Sequence, residues 1–246
     1  MAIIRCRDVI FQNIQAVLFD KDGTLSDSQA FLRNLGLKRS RLIDAQIPGV
    51  QDPLLMAFGV DGDQINADGL LAVGTRQENE IAAAAYVAET GRGWLEALEI
   101  VRFAFSEADG YLRRKAVYTP PFEGSQALLA LLSSRGIKVG ILSADSTANV
   151  EDFVQYYGLA DYIQVQMGAE RGMAKPNPAC LRQACDYLNV SPEVTLVVGD
   201  SQADLLMARN ANAAGFVAVA WGRPQTVPLA NADVLIDRFD EIQLVS

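Results

Sequence analysis

Four short stretches of the chain carry side chains able to do chemistry together. The first is Asp20-Lys21-Asp22-Gly23-Thr24, in which one residue separates two carboxylates. If the chain bends sharply after Asp20, one carboxylate can attack as a nucleophile while the other gives and takes protons. Asp and Gly are also ordinary turn residues at a strand end, so this pair alone decides nothing. The spacing does not supply the further oxygen ligands of an EF-hand loop. The second stretch is Ser143-Ala144-Asp145. A hydroxyl followed by the open amides of a helix start suits an anion, or simply caps the helix. The third, Lys175-Pro176-Asn177-Pro178, offers a lysine ahead of a proline-started helix. That lysine is either solvated or held by the rigid turn so that it reaches a group of carboxylates. The fourth is Gly199-Asp200-Ser201-Gln202-Ala203-Asp204. Its carboxylates lie four residues apart across a helix start and can face one point, although Asp204 can equally serve as a favourable charge at the helix N-terminus.

The four stretches mean more together than singly. Asp20, Asp22, Asp200 and Asp204 gathered at neighbouring strand ends would crowd like charges. Each close pair costs about 4 kcal/mol at an effective dielectric near 20. A fold does not accumulate such repulsion without a cation. Oxygen-only ligands, with room for water and phosphate, suit Mg²⁺ better than Ca²⁺. Lys175 supplies further neutralisation.

The elements that must position these groups are short apolar runs alternating with helical patterns. Residues 16–19, 137–142, 195–198 and 215–220 read as buried strands, with edge strands at 162–165 and 233–236. Helical periodicity covers 125–134, 147–157, 178–188 and 203–212. This alternation predicts an α/β fold, a Rossmann-like doubly wound parallel sheet between two helical layers. Ligands of such sheets bind beyond the carboxyl ends of the strands, which is where the four stretches fall.

Residues 28–117 break the rhythm. They hold helical segments at 29–45, 78–89 and 94–114, turns and short helices at 48–68, and no evident strand. They read as an α-helical domain inserted into a core made of residues 1–27 and 118–246, with Tyr118-Thr119-Pro120-Pro121 as a stiff exit.

Composition removes other chemistries. The 246 residues include no histidine, which excludes Ser-His-Asp and Cys-His nucleophile systems and histidine-bound zinc. Cys6, Cys180 and Cys185 form no CxxC pair and read as buried or partly buried free thiols in a reducing compartment. A net charge of −9 argues against nucleic acid as a partner. No apolar run approaches a membrane span and the first residues do not resemble a secretion signal, so a cytoplasmic protein is expected.

With these residues in view, the chain resembles the haloacid dehalogenase superfamily of phosphohydrolases over nearly its whole length. Phe19–Leu25 (FDKDGTL) is similar to its first motif, Ser143 to its second, Lys175-Pro176 to its third and Gly199–Asp204 (GDSQAD) to its fourth. Asp27-Ser28, and Gly215 with Val219-Ala220-Trp221-Gly222, resemble the phosphoglycolate-phosphatase-like branch, in which a helical insert is a mobile cap.

The resemblance implies an aspartyl-phosphate formed on Asp20, with Asp22 as general acid and then base. It implies phosphate held by Ser143, Ala144 and neighbouring amides and balanced by Lys175. It also implies Mg²⁺ bound by Asp20, the main-chain carbonyl of Asp22, and Asp200, with Asp204 joining through water or orienting its neighbours. The expected substrate is a small phosphorylated metabolite, such as phosphoglycolate or a sugar phosphate. Ala144 departs from the Asn often found after the second-motif hydroxyl. Lys21 is a long cation that points to solvent or toward the insert. Arg76 is a candidate clamp for a substrate carboxylate, or decorates a helix start. Arg113-Arg114-Lys115 reads as a solvated face. A sugar phosphomutase shares the core chemistry, and a catalytically quiet binding module shares the fold.

Overall fold

Strands that are apolar at every position fit only where both faces of a sheet are covered. The computed structural model, which describes residues 2–66, 68–112, 114–169, 174–221 and 231–245, puts them there. The chain begins with strands β1 (Ala2–Cys6), β2 (Val9–Ile14) and β3 (Ala16–Phe19). Helices α1 (Gln29–Asp44) and α2 (Gln51–Phe58) follow, then strands β4 (Val60–Asp61) and β5 (Gln64–Ile65). Next come α3 (Leu70–Val73), α4 (Arg76–Glu89), α5 (Trp94–Tyr111) and α6 (Lys115–Tyr118). The chain continues with α7 (Ser125–Ser134), β6 (Lys138–Leu142), α8 (Thr147–Tyr156), β7 (Val165–Met167) and α9 (Pro178–Leu188). It ends with β8 (Thr195–Gly199), α10 (Gln202–Ala211), β9 (Gly215–Val219), β10 (Val234–Ile236) and β11 (Ile242–Val245).

Two compact units result: Met1–Asp27 with Thr119–Ser246, and Ser28–Tyr118. The first is built on a six-stranded parallel sheet in the order β10-β9-β8-β3-β6-β7. Side-chain alternation divides its core in two. Val17 and Phe19 of β3 pack with Leu129 of α7 and Phe153 of α8 on one face. Ala16 and Leu18 pack with Leu181 of α9 and Leu205 of α10 on the other. The sheet is therefore doubly wound, with helices on both sides.

Strand β3 lies between β6 and β8, and the chain leaves it first toward β6 and only later crosses to β8. That reversal makes the end of β3 the topological switch point, where the crevice of such a sheet opens.

The sequence pattern did not announce the three-stranded antiparallel sheet β11-β1-β2. It joins Ile4, Cys6, Phe11, Ile14 and Ile242 to the same core as Phe19. The alternation of Ile4 with Cys6 was the available signal; its partner β11 lies at the far end of the chain, beyond any local pattern. The expected edge strand at 162–165 forms instead as Val165–Met167, and Cys6, Cys180 and Cys185 are buried and free. No helix among the described residues is long and apolar enough to cross a membrane.

The second unit has its own core, including Phe31, Ile43, Leu54, Phe58, Val101 and Phe105. It is helical as expected except for the pair β4-β5, whose two-residue strands are too short to leave a periodic trace. The chain segments flanking this unit are laced together within the first: Asp27 N donates to Pro120 O at 2.8 Å and Phe122 N to Leu25 O at 2.9 Å.

Candidate active site

Three adjacent strands deliver the candidate residues. Asp20 directly follows β3, and its amide donates to Val198 O of β8 at 2.9 Å, carrying the sheet ladder one residue past the strand. Asp200 directly follows β8, and Ser143 follows β6. The sharp turn after Asp20 is secured by Lys21 O, which accepts from the amides of Leu25 and Ser26, each at 2.9 Å. Gly23 sits within it at φ +86°, and a Cβ there would fall onto Asp200 Oδ2. Glycine thus serves both the backbone angle and the close approach of a carboxylate. Thr24 Oγ1 donates to Asp200 Oδ1 at 3.2 Å.

Asp204 resolves the alternatives left open for it by serving both. It lies at the third position of α10, where Ser201 Oγ donates to its Oδ2 at 2.6 Å and its own amide donates to Ser201 Oγ at 3.3 Å. This capping box frees Oδ1, which accepts from Lys175 Nζ at 2.6 Å. Lys175 also donates to Asp20 Oδ1, so one ammonium on a side chain only 6% exposed joins two carboxylates. Carboxylate oxygens of Asp20, Asp200 and Asp204 all lie within 4.8 Å of one another.

The electrostatics follow from this crowding. Burial pushes the Asp20 carboxyl up to about 6; Lys175 pulls against the rise and Asp204 adds to it. Asp200 is displaced upward in the same direction, by burial first and then by Asp20 and Asp204. Burial lowers the Lys175 ammonium, but Asp20 and Asp204 outweigh it and hold it above its ordinary range. Three carboxylates against one ammonium leave the cluster short of positive charge. Its all-oxygen donor set fits a hard divalent cation.

Asp22 is oriented differently. Its carboxylate is not one of that cluster of three: Asp22 Oδ2 accepts from Lys21 Nζ at 2.7 Å. Lys21 itself departs from expectation. It does not point to solvent but is 1% exposed, with Nζ 3.2 Å from Asp145 Oδ2 and above the Phe153 ring. Its position between two carboxylates was the only hint in the sequence, and the second partner, Asp145, is remote along the chain.

Ser143 is buried, and its Oγ accepts from the amide of Asp145 at 3.1 Å. Ala144 lies between them in the bend that follows β6. In the helical unit, Arg76 opens α4 behind a capping box formed by Thr75 and Glu78. Its guanidinium pairs with Glu80 at 2.8 Å and with Asp109. Gly222 and Arg113 lie outside the described residues.

Comparison with known proteins agrees with this geometry. A family model described as haloacid dehalogenase-like hydrolase matches residues 14–212. The N-acetylmuramic acid 6-phosphate phosphatase of Pseudomonas putida is 29% identical over 94% of this chain and 96% of its own length. The phosphoglycolate phosphatase of Neisseria gonorrhoeae is 27% identical over 90% of this chain and 86% of its own. Solved structures show the same fold. The crystal structure of a predicted phosphoglycolate phosphatase from Haemophilus somnus has a TM-score of 0.66 at 20% identity and covers 92% of this chain and 95% of that one. One provisionally assigned as a β-phosphoglucomutase, from Thermotoga maritima, has a TM-score of 0.61 at 17% identity and covers 91% of this chain and 94% of that one. With its motifs at the ends of β3, β6 and β8 and the family model spanning them, the chain belongs to the haloacid dehalogenase-like hydrolases, an enzyme family to which these named phosphatases are its relatives.

Proposed function

We propose that this enzyme hydrolyses a small-molecule phosphate monoester through an aspartyl-phosphate on Asp20. The observation that carries this reading is the group of Asp20, Asp200 and Asp204 oxygens within 4.8 Å of one another, with Lys175 donating to two of those residues. An Mg²⁺ held by Asp20, Asp200, Asp204 and the main-chain carbonyl of Asp22 would polarise the phosphoryl oxygens and offset the carboxylate charge.

The chain's own groups do the rest. Asp20 attacks phosphorus in line, and the ester P–O bond breaks as the leaving oxygen takes a proton from Asp22. Asp22, now a carboxylate, draws a proton from the water that hydrolyses the aspartyl-phosphate. Ser143 Oγ and the amides beginning at Ala144 hold phosphoryl oxygens. Lys175 keeps Asp20 oriented and balances charge as it moves to phosphate. Positioning and charge stabilisation supply most of the rate.

The relatives' names support one substrate class, a carboxylated phosphate monoester. Phosphoglycolate and N-acetylmuramic acid 6-phosphate are both phosphate monoesters that carry a carboxylate. We read residues 28–117 as the cap that selects the leaving group, and Arg76 as the candidate carboxylate contact. That role requires Arg76 to exchange its bond to Asp109 for one to substrate.

The test is a phosphate-release screen with Mg²⁺ over metabolite monoesters, including these two and hexose phosphates. Release of inorganic phosphate that stops on chelation and returns with Mg²⁺ supports the reading. Conversion of hexose phosphates to isomers without phosphate release would favour a phosphomutase. Binding without any turnover would favour a quiet module.

A further inference from the structure

We propose that Lys21 is a positioning residue that aims the carboxyl group of Asp22 at the leaving oxygen, with Asp145 as its anchor. This rests on the reading of Asp22 as proton donor. An ammonium that is 1% exposed is costly to bury, and packing alone does not call for it, since an apolar chain would fill the space beside Phe153 more cheaply.

Both ends of Lys21 are fixed. Its carbonyl accepts from the amides of Leu25 and Ser26 and from Ser26 Oγ at 3.2 Å. Its Nζ lies between Asp22 Oδ2 at 2.7 Å and Asp145 Oδ2 at 3.2 Å. Asp145 is immobilised in turn: its Oδ1 accepts from Ser146 N at 2.8 Å and from Asn149 Nδ2 at 2.7 Å, and its carbonyl accepts from Ala169 N at 2.7 Å. A continuous line of polar contacts therefore runs from the first turn of α8 to one oxygen of Asp22: hydrogen bonds onto Asp145, an ion pair from Asp145 to Lys21, and a hydrogen bond from Lys21 to Asp22. With Oδ2 held by Lys21, the reading of Asp22 as proton donor leaves its other oxygen to face the leaving group. As the Asp20–phosphorus bond forms and the ester P–O bond breaks, the leaving oxygen keeps the bonding electron pair and takes the proton of Asp22. The carboxylate left on Asp22 is held beside the Lys21 ammonium.

A bond that only fastened two loops would affect every ester alike. A positioning bond matters most where the leaving group most needs its proton. The experiment is kcat/KM for phenyl phosphate and p-nitrophenyl phosphate, compared between wild type and Lys21→Met. Phenol, with a pKa near 10, leaves poorly unless protonated, whereas p-nitrophenolate needs far less help. Because kcat/KM reports the first irreversible step, it reads phosphoryl transfer to Asp20 for both esters. Lys21→Met should lose about tenfold or more on phenyl phosphate and less than about threefold on p-nitrophenyl phosphate. Equal losses on both, or no loss, would overturn the proposal. Should Lys21→Met not fold, Asp145→Asn decides: it keeps the ammonium but weakens its anchor, and it should change the ratio of the two esters in the same direction, while an unchanged ratio overturns the proposal. A wild type that turns over neither ester counts against the phosphatase reading itself, an outcome distinct from equal losses in the variant.

Discussion

Lys175 donates to Asp204 Oδ1 at 2.6 Å while Ser201 fixes the other oxygen of the same carboxylate at 2.6 Å. The helix cap of α10 therefore aims the lysine, and the lysine aims Asp20. A local rule about helix starts has become part of the site.

Replacing Lys175 with Met should leave the three-carboxylate cluster, two of whose members are buried, uncompensated. Removing one partner of a buried ion pair typically costs about 3–5 kcal/mol. Urea denaturation of the metal-free variant should show a loss of that order, and Mg²⁺ should recover part of it. A metal-free stability equal to that of wild type would contradict the charge arrangement.

Asp20→Asn should lower phosphate release by at least about a thousandfold. The same substitution removes a carboxyl group whose charged form burial penalises. The metal-free variant should therefore melt at or above the wild-type temperature near pH 7. Calorimetry beside the activity assay separates loss of the nucleophile from loss of the fold.

The pH dependence of the metal-free protein has a definite sign. Asp20 titrates at about 6 in the folded chain, above the ordinary carboxylate value of 3.8. Between those limits the native chain holds a proton that the unfolded chain has lost. Its contribution to stability is full below about pH 4 and is lost as pH rises to about 6; Asp200 moves in the same direction. Added Mg²⁺ needs the deprotonated ligands, so it should raise the melting temperature more at pH 7 than at pH 4.5. A thermal-shift series at the two pH values, with chelator as control, checks this.

Gly23→Ala tests the approach of the first turn to Asp200. The new methyl would meet the Asp200 carboxylate at a backbone angle of φ +86°. Titration should show weaker Mg²⁺ binding by about tenfold or more, with a modest loss of stability. Unchanged Mg²⁺ affinity would place the cation elsewhere.

How far these features could be read from the chain depended on how local their causes were. The strands leading to Asp20, Ser143 and Asp200 are buried on both faces, so unbroken apolar runs announced them. Lys175 and Asp204 were legible as candidates, but their shared bond was not, because it depends on how the turn before α9 meets the cap of α10. The burial of Lys21 was not legible, since a lysine reads as solvent-seeking until a distant Asp145 is brought beside it. The sheet β11-β1-β2 escaped for the same reason: Cys6 pairs with Ile242 across almost the entire chain.

The paired backbone bonds at Asp27–Pro120 and Leu25–Phe122 have an architectural consequence. They zip the two stumps of the surrounding unit side by side, so that its chain path is closed before the intervening ninety or so residues are considered. Whatever is spliced in at that seam need satisfy only its own interior, as the separate core around Phe58 and Phe105 does. The sheet that bears the carboxylates can thus carry one inserted unit or another without being rebuilt.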